Sequence, residues 1–128
     1  MPKGMTPPTS ELTQPFWDAT KEKKLLLQWC KPCNQVVHYP REACPKCLGF
    51  DLEWRESSGE GEIYAVSVQA RAPEPYAVAL VDLREGARMM TNIVGVDDLY
   101  AVKVGAQVRV AWEQLDDGRN LPLFEPTS

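Results

Sequence analysis

The chain has 128 residues, 44% of them hydrophobic, which is material for one modest core and a small appended module but not for two large domains. Its formal net charge is −4, and the charge is uneven: residues 1–56 hold eight basic against seven acidic side chains, residues 57–128 six against eleven. No apolar run reaches the roughly 20 residues of a membrane-spanning helix.

Nothing at the start resembles a signal peptide, so a cytoplasmic location with reduced thiols is expected. Met1 to Leu12 contains three prolines and a glycine, the composition of a flexible arm that a partner would order. Thr13 or Gln14 then precedes Pro15, a start signal for a helix of about two turns running toward Leu25. Phe16 and Trp17 are too large for so short a helix to hide both. Either they anchor it on this chain's own ribbon, or they fill a pocket on another subunit as partner-binding residues.

All four cysteines follow, in two pairs: Cys30-Lys-Pro-Cys33 and Cys44-Pro-Lys-Cys47. A two-residue spacing lets one tight turn present two thiolates to one ion, and two such turns complete the tetrahedral shell of a closed zinc site. The same sulfurs would also hold iron. Proline inside each pair fixes a backbone angle, and Asn34 and Gly49 tolerate the left-handed conformation such knuckles use. Leu25 to Trp29 and Val36 to Tyr39 read as the two strands of a hairpin around the first knuckle. His38 has no place in a shell already filled by four sulfurs and is expected in an ordinary loop or surface position. Arg41, midway between the knuckles, suits a phosphate or a partner carboxylate.

From Trp54 onward the period changes to two. Tyr64, Val66 and Val68 alternate with Ala65, Ser67 and Gln69; Tyr76 to Leu83 is apolar almost throughout; Arg84-Glu85-Gly86 turns the chain back through Ala87 to Val94. Asp97-Asp98 caps one helical turn, Gly105 ends it, and Val108, Val110 and Trp112 mark a strand that Asp116-Asp117-Gly118 returns toward Leu121 to Phe124. Tyr64, Val66, Val78, Leu80, Val108, Val110 and Trp112 are expected to point inward. Five short strands with one helical turn fit a small Greek-key barrel of the OB type, with an antiparallel sandwich as the rival. The predicted organisation is mainly β: arm and short helix over residues 1–24, ribbon over 25–53, barrel over 54–128.

Several of these features occur together in one family. Pro15-Phe16-Trp17, Leu27-Gln28-x-Cys30-x-x-Cys33, Tyr39-Pro40-Arg41, Cys44-Pro45-x-Cys47, Leu52-Glu53-Trp54, Ser58-Gly59-x-Gly61, Asp82-Leu83 before Glu85-Gly86, and Gly105 before Val-x-Val are found in that order. The sequence resembles the acyl-CoA-associated OB-fold proteins with a rubredoxin-like zinc ribbon, number thirty-five among the domains of unknown function. The resemblance spans Thr13 to Phe124 and departs at Asn34, where glycine is frequent. It implies structural zinc and a non-catalytic companion of thiolase-fold enzymes: thiolase, hydroxymethylglutaryl-CoA synthase, or the aldolases and hydratases of steroid side-chain CoA esters. A two-plus-two assembly, a possible share in holding CoA and an origin as a domain of a longer protein belong to the same expectation. Arg41, Arg84 and Arg88 are the candidates for the CoA phosphates.

The residues agree with a companion role, because thiolase chemistry needs a nucleophilic cysteine and histidine bases, and only His38 is left once the cysteines hold metal. Two other classes stay open. A nucleic-acid-binding OB protein with structural zinc would need a basic groove, which the acidic barrel segment disfavours. An electron-transfer rubredoxin would leave the barrel without a role.

Overall fold

A computed structural model describes residues 10–127; the arm expected over Met1 to Leu12 lies mostly outside them. Ser10 to Thr13 form a turn that leads into α1, Gln14–Thr20, with Pro15 in its first turn. The helix stops where Lys23 takes a positive φ of 58° and Lys24 N–H bonds back to the Ala19 carbonyl. Three antiparallel strands then form a small sheet in the order β2-β1-β3: β1 is Leu26–Cys30, β2 Gln35–Val37 and β3 Leu52–Glu56. The ribbon sheet thus runs on to Glu56, and a division after residue 53 falls inside β3.

The remaining strands are β4 (Glu60–Gln69), β5 (Tyr76–Leu83), β6 (Arg88–Ile93), β7 (Gln107–Gln114) and β8 (Asn120–Pro126), and they close a barrel in the order β4-β5-β6-β8-β7. A single 3₁₀ turn, Leu99–Ala101, lies between β6 and β7, with the Asp98 carboxylate accepting from the Tyr100 amide. Neighbouring strands are antiparallel except β6 and β8, which run parallel and meet only where Ile93 faces Phe124. Pro122 has no N–H to give that seam. There the Thr91 hydroxyl donates to the Pro122 carbonyl at 3.3 Å, and the Met90 amide donates to the Tyr39 hydroxyl of the ribbon at 3.2 Å.

The inward face differs from the expected one in two strands. A bulge between Ile63 and Ala65 shifts the register of β4, so Ile63 is buried and Tyr64 is half exposed, while Val66 beyond the bulge packs on the core as predicted, with Val68 after it. In β5 the buried set is Ala77, Ala79, Val81 and Leu83, and Val78 and Leu80 lie on the other face. Two of the four inward residues are alanines, which suits the narrow interior of a five-stranded barrel. Val108 is buried, and Val110 and Trp112 pack against the core from partly buried positions.

Of the two readings of Phe16 and Trp17, the structure shows the one in which they anchor the helix on this chain. Both are buried in the same cluster as Leu25, Leu27, Val81 and Phe124, with their rings edge to face at 5.1 Å. The helix hides two aromatics because it lies between β1 and β8 and borrows walls from both. Buried Thr20 fastens it: its hydroxyl donates to the Trp17 carbonyl and accepts from the Asn120 amide, while the Asn120 side chain donates to the Thr20 carbonyl at 2.8 Å. The guanidinium of Arg119, paired with Asp117, lies 4.7 Å from the Trp17 ring centroid.

Ribbon and barrel are joined at residues 57–59, and Glu85 holds that joint. Its carboxylate accepts from the Ser57 hydroxyl at 2.7 Å and from the Ser58 amide at 3.0 Å, and the Gly59 amide in turn donates to the Ser57 oxygen. Partial burial raises the Glu85 pKa, but the Ser58 and Ser57 bonds outweigh it and leave it below the ordinary carboxylate value. A lowered folded pKa stabilises above the unfolded value and stops doing so as pH falls through the folded one. Glu85→Gln is expected to cost about 1 kcal/mol at neutral pH, the low end for a bond to a largely solvent-facing charge. In urea titrations the difference from wild type should shrink below the ordinary carboxylate range; a difference unchanged with pH would remove this role from Glu85.

Candidate metal centre

Both cysteine pairs sit in turns that close on one point. The first knuckle leaves β1 at Cys30 and turns through Asn34 at φ 51°; the second turns through Leu48 at φ 61°. The four sulfurs lie within 4.8 Å of one another, with Cys30 Sγ to Cys47 Sγ at 3.7 Å and Cys33 Sγ to Cys44 Sγ at 4.0 Å. A tetrahedron with Zn–S bonds of about 2.3 Å has edges of about 3.8 Å, so the set fits one four-coordinate zinc. Backbone amides support the sulfurs from outside: Lys46 N–H points at Cys44 and Gly49 N–H at Cys47, each at 3.4 Å.

Protein atoms alone leave the four thiols unequal. The Cys33 thiol is pushed up to about 12, first by the neighbouring Cys47 thiol and then by burial, whereas the backbone amide of Cys47 foremost, working against burial, brings Cys44 down to about 7. Four thiolates in so small a volume need a cation to be stable together, and zinc supplies two positive charges there. Cys30 and Cys44 are buried with Val37 in a small apolar cluster of their own, and Cys47 is the exposed corner. This is a closed structural site, with no position left for a substrate.

His38 lies in the loop after β2, one of the two positions expected for it, and is half-buried there. Its ring stacks at 4.1 Å on Tyr39, its Nε2 is buried without a hydrogen-bond partner, and burial lowers its pKa to about 4. It stays a neutral imidazole at neutral pH.

The three arginines considered for phosphate are dispersed. Arg84 is paired with Glu60. Arg88 grips both oxygens of Asp82 and lies over the Tyr64 ring, 3.5 Å from its centroid. Arg41 sits in the loop between the knuckles, where buried Gln28 fixes its backbone: the Arg41 amide donates to Gln28 Oε1 at 2.7 Å, and Gln28 Nε2 donates to the Arg41 carbonyl at 2.8 Å. Gln28 was not singled out from the sequence. A polar side chain inside Leu25 to Trp29 was the available signal, since a buried amide must spend its bonds on something fixed.

Comparison with known proteins adds to this geometry. Residues 17–53 match the family described as the ChsH2 rubredoxin-like zinc ribbon domain, and residues 54–113 the one described as the ChsH2 C-terminal OB-fold domain. A probable enoyl-CoA hydratase alpha subunit of Thermomonospora curvata is 36% identical over 98% of this chain, and the chain spans 41% of that protein's length. A DUF35 domain-containing scaffold protein of Methanocaldococcus jannaschii is 35% identical over 80% of each sequence. Among solved structures, a chain of the Ltp2-ChsH2(DUF35) aldolase superposes with a TM-score of 0.87 at 33% identity, covering 96% of this chain and 100% of that one.

Proposed function

Since the chain belongs to the family of DUF35 domain-containing proteins built from a ChsH2-type zinc ribbon and OB fold, we propose that it is a non-catalytic companion of a thiolase-fold acyl-CoA enzyme. One observation carries this reading. All four cysteines are gathered in the metal cluster, and the single histidine is half-buried with its Nε2 out of water and its pKa lowered to about 4. The free cysteine nucleophile and the histidine bases that thiolase chemistry uses are therefore not supplied by this chain. The names of the related proteins, a hydratase subunit, a scaffold and a component of an aldolase, support a role in assembling such enzymes. Because the chain spans 41% of the hydratase-subunit relative, the same role would suit a domain within a longer polypeptide.

Contact with CoA phosphates through Arg84 or Arg88 would first have to break their ion pairs with Glu60 and Asp82. Binding to the enzyme is therefore the primary activity, and a two-plus-two complex follows if the enzyme is a homodimer. Co-expression with the thiolase-fold enzymes of the same genome, one at a time, followed by size exclusion, tests the reading. The expected result is one stable complex whose enzyme loses activity or solubility without this chain. Separate elution from every such enzyme, or salt-sensitive binding to single-stranded DNA, would overturn it.

A further inference from the structure

An apolar groove of about 260 Å³ opens where α1, the loop after β2 and the β6–β8 seam meet. Phe16, Trp17, Met89, Leu121 and Pro122 form its floor and sides, with Tyr39 and Met90 at its mouth. These two are 55% and 61% exposed, in a chain that otherwise buries the aromatics of α1. The groove exists because the parallel seam is incomplete. Beyond the Ile93–Phe124 contact, β8 gives β6 no further ladder bond, and the ribbon fills the gap with the Tyr39 hydroxyl.

The loop that makes the mouth is fixed rather than loose. Tyr39 is bonded to Met90, and Gln28 clamps the backbone of Arg41 at both its amide and its carbonyl. Arg41 is exposed. Arg55, Arg84, Arg88, Arg109 and Arg119 each have a carboxylate of this chain as partner; among the described residues Arg41 and Arg71 have none, and of these two only Arg41 adjoins the groove, next to Pro40. An apolar seat whose lining residue Pro40 is followed directly by an exposed arginine with a fixed backbone complements a segment with a bulky apolar side chain followed closely by a carboxylate.

We propose that this ribbon–barrel groove is the anchor pocket for the companion enzyme, which inserts one aromatic or aliphatic side chain between Tyr39 and Met90 and sets a neighbouring carboxylate on Arg41. This rests on the companion reading above and adds where and by what chemistry the two surfaces meet. A buried anchor surrounded by contacts that exclude water is how protein interfaces concentrate their affinity. Continuity of the groove with exposed Tyr39 and Met90 gives such an anchor its rim.

The test uses the complex identified by co-expression and compares wild type with Met90→Glu, Arg41→Glu and Val104→Glu. Val104 is 65% exposed and outside the groove. Met90→Glu should weaken binding about thirtyfold and Arg41→Glu about tenfold, with Val104→Glu equal to wild type. Added salt should weaken the wild type more than Arg41→Gln. Unchanged melting and zinc content would show the variants folded. Should one fail to fold, hydrogen exchange of the wild-type complex decides: new protection at residues 38–41 and 88–91 supports the groove, and its absence overturns it. A wild-type complex that all three variants form equally well sinks the groove and leaves the companion reading intact, whereas no complex with any enzyme sinks both. CoA binding to this chain alone, abolished by Arg41→Glu, would give the site to a small molecule and overturn the protein occupant.

Discussion

Cys44→Ser is expected to abolish stoichiometric zinc and unfold the ribbon, the largest effect of any single substitution in this chain. Cys44 is 2% exposed and its sulfur lies 4.0 Å from that of Cys33, so an oxygen there neither reaches nor suits the same ion. Structural zinc in small modules contributes on the order of 10 kcal/mol or more of apparent folding free energy, comparable to the whole stability of a domain. The metal-binding cluster has little else to hold it, since its apolar part is Cys30, Cys33, Val37, Cys44 and Leu52. Metal analysis and hydrogen exchange together check the outcome. Strands β1 to β3 should lose protection while β4 to β8 keep a reduced share, because Leu25 and Leu27 of the ribbon side belong to the barrel's cluster. A variant that retains zinc and full protection in the ribbon would refute the assignment of these four sulfurs.

Phe124→Ala should cost about 3 to 5 kcal/mol, the usual range for truncating a fully buried phenylalanine. Its side chain is 0% exposed, and its backbone joins three strands: it faces Val110 on β7 and Ile93 on β6, and its carbonyl accepts from Val94. The cavity would therefore open at the barrel's narrowest seam. A urea titration should show the midpoint falling by a third or more of its wild-type value with little change in slope. Tyr64→Ala serves as the contrast, since Tyr64 is 51% exposed and should change stability far less. Comparable losses from the two substitutions would mean that the barrel's interior has been assigned to the wrong face.

That contrast also marks where the sequence was readable. Cysteine spacing announced the metal site because ligand chemistry is local, and Val108, Val110 and Trp112 announced β7 because one face of it meets the core. In β4 the alternation carried straight through the bulge between Ile63 and Ala65, which no residue in Glu60 to Gln69 advertises, and so Tyr64 was assigned inside. In β5 both faces are apolar, so period alone cannot choose between Ala77-Ala79-Val81 and Val78-Leu80. Closure decides it, because the pairing of β5 between β4 and β6 turns the Ala77-Ala79-Val81-Leu83 face toward Ile63, Val108 and Phe124. Phe16 and Trp17 illustrate the same limit at longer range: their covering walls come from β1 and from β8, about a hundred residues apart. The loss of water around His38 Nε2 likewise depends on how its loop is folded, which local sequence does not show.

The bonds between Thr20 and Asn120 have a consequence for synthesis on the ribosome. Their partners are 100 residues apart in the chain. At ordinary elongation rates the helix is made roughly 5 to 20 seconds before Asn120 is added, and the ribbon is complete for about two thirds of that time. During that interval the zinc knuckles can already close, whereas Phe16 and Trp17 have only the β1 side of their cover. The newborn protein thus passes through a stage in which its zinc knuckles can be closed while the β8 side of Phe16 and Trp17 is still open to chaperones.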